Sequence, residues 1–237
     1  MKKFFTVIPL QVPGNLEQYH YEPVGNTRLE MEDKTSFPIL TAIHGYVQPG
    51  EPFQVIAVVA DSEVGRANCQ ALRQELEALC GKYGLTCAGV VAVTIPSDES
   101  VSAHAATFQK LIPYAEDEDE LFACITFGTK PLSMAVRMAV QYAYRVKRNT
   151  SISCIVYGQI DRPSREPSTW RAYVYDETAL VRLDEIVRVL ADRGVADPGT
   201  VIQRILSLYG GGTYGTQDPG SPFEPSGGSV GPSEARG

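Results

Sequence analysis

The feature that most constrains this chain is a series of apolar, β-branched runs at residues 4–10, 53–60, 86–95, 121–126 and 151–157, separated by stretches of helical spacing. The runs are continuous rather than alternating, which suits strands covered by helices on both faces. After the second run, Cys69, Leu72, Leu76, Leu79 and Tyr83 recur at three- and four-residue steps, Arg66, Arg73, Glu75 and Glu77 can face water, and Gly84 supplies the stop. After the third, Val101, Ala105, Phe108 and Ile112 repeat the pattern and Pro113 ends it. Strand and helix therefore alternate. The order predicts an α/β fold, a Rossmann-like, mostly parallel sheet flanked by helices, with right-handed crossovers.

Residues 11–50 depart from that order. They are rich in Pro, Gly, Asn and Tyr, too long for a simple strand-to-helix loop, and predict short extended pieces plus a helix near 37–46. An insertion after the first strand sits at the ligand-binding edge of such a sheet, as a lid or specificity element. Beyond the sheet, 161–169 reads as a linker and 170–175 alternates like an edge strand. Two short helices follow, carrying Leu180, Leu183, Val187 and Leu190, then Val201, Ile205 and Leu208, with Pro198 suited to a helix start. The Gly-, Ser- and Pro-rich remainder cannot offset its ordering entropy by burial. The expected division is a Rossmann-like domain at 1–160, a small strand plus helical hairpin at 170–209, and a disordered tail at 210–237.

Composition excludes several function classes. The net charge of −7 argues against a general DNA- or RNA-binding surface, while leaving room for a small anion in a local basic pocket. No stretch of about 20 apolar residues exists to span a membrane, so the chain reads as soluble. The opening Met1-Lys2-Lys3-Phe4-Phe5 mimics a secretory signal, but the apolar run is short, Pro9 leads into polar sequence, and a first strand explains it better. Cys69, Cys80, Cys87, Cys124 and Cys154 are odd in number and lack CxxC spacing, as expected of thiols in a reducing cytoplasm.

The stretch from Leu121 to Pro131 carries the chemistry. An apolar strand ends at Thr126, Gly128 permits a tight turn, Thr129 can cap a helix, and Pro131 suits its first position. Free amides and the positive end of that helix then point to the sheet's ligand-binding edge, where Lys130 adds a full charge; such a terminus binds phosphate. The loop lacks the spacing of a P-loop and of a dinucleotide-binding fingerprint. An ordinary capped turn with a surface lysine is the alternative. The following helix is apolar around most of its circumference, leaving Ser133, Arg137, Gln141 and Arg145 as one stripe. It needs a second covering partner, either the same helix of another subunit or this chain's own insertion or hairpin.

The loop Thr126-Phe127-Gly128-Thr129-Lys130, its apolar helix and the strand Ser153-Cys154-Ile155-Val156-Tyr157-Gly158 resemble the CRISPR-associated Rossmann fold (CARF) sensors of type III CRISPR systems. The opening Phe5-Thr6-Val7-Ile8-Pro9-Leu10-Gln11, the segment Ser36-Phe37-Pro38-Ile39-Leu40 and residues 55–61 resemble one branch of that family, so the likeness covers roughly residues 1–160. It implies a homodimer whose equivalent loops surround a cyclic oligoadenylate, most often the four-membered ring. By the same resemblance Thr126, Phe127, Gly128, Thr129 and Lys130 form one ligand-binding loop. Pro9, Leu10 and Gln11 match the position of another without a fixed motif. Asp61, Ser62 and Glu63 lie at that edge with the wrong charge for phosphate, and are assigned to adenine or ribose, or to no role.

Family members are often fused to an effector, commonly a HEPN ribonuclease with an Arg-x4-6-His motif. His20, His44 and His104 do not supply it. No metal-ligand cluster or Ser-His-Asp grouping is legible, the acidic run at 116–120 reads as a solvated turn away from the ligand edge, and no cofactor is called for. Two functions follow from the resemblance. One is a metal-independent ring nuclease of antiviral defence that aligns a ribose 2′-hydroxyl with the adjacent phosphate, Lys130 stabilising the developing charge and Thr126 or Thr129 orienting the phosphate. The other is a non-catalytic sensor whose C-terminal hairpin passes occupancy to a protein effector, as a partner or fused beyond the tail.

Overall fold

A computed structural model describes residues 1–12 and 15–210. Its elements run in the order β1 (Lys2–Val7), β2 (Tyr21–Val24), α1 (Ile39–Tyr46), β3 (Pro52–Ala60), α2 (Glu63–Tyr83), β4 (Thr86–Ile95), α3 (Val101–Leu111), β5 (Glu120–Cys124), α4 (Lys130–Val146), β6 (Ser151–Asp161), β7 (Arg171–Asp176), α5 (Thr178–Asp192) and α6 (Pro198–Gly210). They form two compact units, Met1–Asp184 and Glu185–Gly237. From residue 211 onward the tail expected to be disordered lies outside the described residues.

The first unit is built on one seven-stranded sheet in the order β2-β7-β6-β5-β1-β3-β4. Every neighbouring pair is parallel except β6 with β7. The mostly parallel, Rossmann-like α/β fold expected from the sequence is the one observed. Successive residues of β1 explain the unbroken apolar runs. Phe4 points to one face, stacked on Phe122 at 4.3 Å and edge-on to Phe53 at 5.7 Å between ring centroids, among residues of α1 and α2 such as Leu40, Ile43, Leu72 and Leu76. Phe5 points to the other face, with Ile56, Leu121 and Ile155, beneath Leu111 of α3, Val136 and Val140 of α4 and Val181 of α5. Both phenylalanines are buried, so at these positions both faces of the strand pack against apolar side chains.

Local signals set the element ends. Ser62 caps α2 by accepting the Gly65 amide at 2.9 Å, Ser100 caps α3 by accepting the Ala103 amide at 3.2 Å, and Gly84 ends α2 at φ +65°. The insertion holds the expected helix, α1, and one strand, β2, that no periodicity announced. β2 is four residues long and contains Pro23, a composition tolerated at a sheet edge. Because β2 takes that edge, the strand at 171–176 lies one place further in, and it belongs to the same unit as the sheet rather than to a separate small piece.

The acidic run is in part the solvated turn expected, with Glu116, Asp117 and Glu118 exposed, but its last residues are built into the sheet's end. Asp119 is 2% exposed, accepts the amino group of Met1 at 2.9 Å and receives the Glu116 amide at 2.8 Å. Asp117 holds Arg148 at 2.8 Å. The run is a hydrogen-bonded corner at the amino ends of β1, β5 and β6, the end of the sheet opposite the candidate loops. In the second unit Arg188 pairs with Glu185 and Asp192 along α5, and Asp197 accepts the amide and hydroxyl of Thr200 at the start of α6.

Candidate functional site

From β1 the chain first visits the edge strand β2, on the β5 side, and then returns through α1 to β3 and β4 on the other side, while β5 leads to β6; apart from that excursion the strand order reverses between β1 and β5. At such a switch point the loops leave in opposite directions and open a crevice at the carboxyl ends of the strands. β1 and β5 are direct partners, with Thr6 opposite Cys124. The loops that follow them, 9–11 and 126–130, therefore rise side by side at that crevice.

Gly128 fixes the shape of the second loop. Its φ is +89°, and a Cβ there would stand 2.9 Å from Val7 Cγ1 and 3.1 Å from Leu132 Cδ2. The loop thus folds back onto the end of β1 so closely that only glycine fits. Phe127 is half-buried and packs against the cores on both faces, its ring 6.5 Å from that of Phe37. The Ser133 hydroxyl, one turn into α4, donates to the Ile125 and Phe127 carbonyls at 3.4 and 3.3 Å.

The two threonines are committed within the fold. Thr126 accepts the buried Gly158 amide at 2.7 Å and lies 3.1 Å from Cys124 Sγ, clipping the end of β5 to β6. Thr129 occupies the N-cap position of α4, yet its hydroxyl does not cap; it donates to Glu99 at 2.8 Å. Lys130 is the first helical residue and Pro131 the second, one place later than expected. No side chain caps α4, so the first-turn amides of Lys130 and Leu132 have no side-chain partner; Pro131 between them has no N–H. Lys130 is exposed and has no hydrogen-bond or ion-pair partner among the described residues.

The first loop is held from below by a residue that sequence reasoning passed over. Asn68 of α2 is 2% exposed, and its amide nitrogen donates to the carbonyls of Pro9 and Gln11, each at 2.8 Å. The available signal was an asparagine inside the apolar face formed by Cys69, Leu72 and Leu76. Pro9 is buried, whereas Leu10 is 56% exposed and Gln11 is also exposed. Asp61 pairs with Arg66 at 2.8 Å and Ser62 caps α2, so this turn spends its polar groups on itself. A second overlooked group is Glu99, in the turn between β4 and α3. Its Oε2 takes the Thr129 hydroxyl and lies 3.2 Å from His104 Nε2.

Helix α4 departs from expectation in its orientation. Its stripe Ser133, Arg137, Gln141, Arg145 does not form the solvent face. Gln141 is 8% exposed and donates to Asp184 at 2.8 Å, and Arg145 reaches the same carboxylate at 3.1 Å. The outer face instead carries Met134 at 61% and Met138 at 51% exposure. Among the described residues no helix is long and apolar enough to cross a membrane, and no three His, Cys, Asp or Glu side chains converge as a metal site requires.

Compared with known proteins, the chain matches no family model, and none of the curated proteins matches it.

Proposed function

We propose that this chain binds a cyclic oligoadenylate, in the first place cyclic tetra-adenylate, at a homodimer interface in the cytoplasm, and cleaves it as a metal-independent ring nuclease of type III CRISPR antiviral defence. The carrying observation is the pairing of β1 with β5 at the switch point, which sets residues 9–11 beside the loop of the unpartnered Lys130 and the uncapped start of α4. A phosphodiester backbone presents repeated anionic oxygens, which open helix amides and one ammonium group suit. The resemblance to CARF sensors supplies the identity of the ring. The exposed Met134 and Met138 on α4 offer apolar surface for the second subunit.

A second reading, a sensor that binds without cutting and signals through its C-terminal helices to a protein effector, is favoured by one observation. The hydroxyls of Thr126 and Thr129, which would orient the phosphate, are both engaged within the chain. Incubation of the full chain with labelled cyclic tetra-adenylate in EDTA separates the readings. Linear product that is lost in Lys130→Ala supports the nuclease; tight binding with intact ligand supports the sensor; failure to bind any cyclic oligoadenylate removes both.

A further inference from the structure

A carboxylate beside an anion-binding loop is electrostatically out of place. Glu99 is 60% exposed, and it stands against Thr129 at the head of α4, where a phosphate would be drawn. Its position is built rather than incidental. Asp98 accepts the Ser100 amide at 2.9 Å and the Ser100 hydroxyl at 3.0 Å, Ser100 caps α3, and the turn so formed presents residue 99 at the carboxyl edge of the sheet. From α3, His104, 15% exposed, reaches back to the same oxygen, Oε2, that receives the Thr129 hydroxyl. The Thr129 hydroxyl thus holds one carboxylate oxygen, with the His104 ring 3.2 Å from it, and Oε1 is left without a partner among the described residues.

An oxygen so placed cannot face a phosphate, but it accepts a hydroxyl. Every nucleotide unit of a 3′,5′-linked ring carries a free ribose 2′-hydroxyl next to its phosphate, within a few ångströms of any group that binds that phosphate. In dinucleotide-binding folds an acidic side chain beside the phosphate-binding helix reads the ribose hydroxyl in the same way. We infer that Glu99 is the ribose-reading residue of this site: Thr129 donates to its Oε2, the His104 ring stands beside that oxygen, and its Oε1 accepts the 2′-hydroxyl of the bound ring. Glu99 then decides between ribo- and deoxyribonucleotide rings, while Lys130 and the α4 amides take the phosphate. The assignment rests on the function proposed above.

The test is a rapid-mixing titration of the full chain, before any turnover, with cyclic tetra-adenylate and with its all-2′-deoxy analogue. Loss of a hydrogen bond to a charged group costs about ten- to a hundredfold in affinity. The wild-type chain is expected to prefer the ribose ring by about that factor. Glu99→Ala abolishes the preference by weakening the ribose ring alone, and Glu99→Gln, which keeps the shape and an acceptor, retains part of it. Equal binding of the two rings by the wild type overturns the assignment while leaving the function intact. So does a Glu99→Ala chain that binds both rings more tightly by the same factor, because the carboxylate then only repels phosphate. Failure of the wild type to bind either ring removes the function, and the assignment with it.

Discussion

Gly128→Ala is the most informative single substitution, because two costs fall on it and a second glycine separates them. A non-glycine residue held at φ +89° is strained by about 1–3 kcal/mol. The added methyl also meets Val7 Cγ1 at 2.9 Å and Leu132 Cδ2 at 3.1 Å. Val7 and Leu132 are both buried, so neither side chain has open space to retreat into, and overpacking adds about 1–3 kcal/mol. Gly50 has nearly the same φ, +86°, with nothing within 4 Å of where an added methyl would stand, and Gly50→Ala therefore carries the conformational cost alone. In urea titrations followed by circular dichroism, Gly128→Ala should lose about 2–6 kcal/mol and Gly50→Ala about 1–3 kcal/mol, with m-values unchanged. For a unit of this size the first loss corresponds to a fall in Tm of roughly 4–24 °C. Gly128→Ala should also lose ligand, since the loop can keep its contact with β1 only without a Cβ. A Gly128→Ala chain as stable as Gly50→Ala would refute the close approach of the loop to β1.

Thr126→Val leaves the buried Gly158 amide without its acceptor and should cost about 1–3 kcal/mol, whereas Thr126→Ser should stay close to wild type; equal stability of the two variants in thermal melts would show that the hydroxyl is not a clip. The Asp33 carboxyl is held below its ordinary value of 3.8 chiefly by its hydrogen bond from Lys82. The stability it contributes is fully present above about pH 4 and is lost as pH falls through the lowered folded value. Lys82→Met should make the fall of the urea midpoint across that acid range slightly shallower, and an unchanged slope counts against the pair. Burial pushes the thiols of Cys80, Cys87, Cys124 and Cys154 up from their ordinary value. Ellman's reagent at pH 7.5 should therefore react slowly with the native chain and titrate all five thiols in denaturant, and a fast-reacting native thiol among these four would contradict that burial.

The parallel sheet was legible because both of its faces are covered: Phe4 and Phe5, or Leu121 and Phe122, had to be apolar in succession. The same logic hid β2. An edge strand of four residues with Glu22 and Pro23 has no periodicity to display, and its pairing with β7 is set by residues about 150 positions away along the chain. In the site, the turn at Gly128 and the charge of Lys130 could be read directly, since each depends on the residue itself. The commitments of Thr126 to Gly158 and of Thr129 to Glu99 could not, because a hydroxyl does not announce its partner. Asn68 was the exception that could have been found. A buried amide inside an apolar stripe needs partners, and here they are the carbonyls of the first loop.

The central claim is that the crevice between β1 and β5 holds a cyclic oligoadenylate through Lys130 and the start of α4. Isothermal titration of cyclic tetra-adenylate into wild-type and Lys130→Ala chains tests it most directly. The account predicts saturable binding by the wild type at one ring per two chains, weakened at least about tenfold in the variant through loss of a charge-assisted contact. Equal affinity in the two chains, or no heat of binding in either, contradicts it.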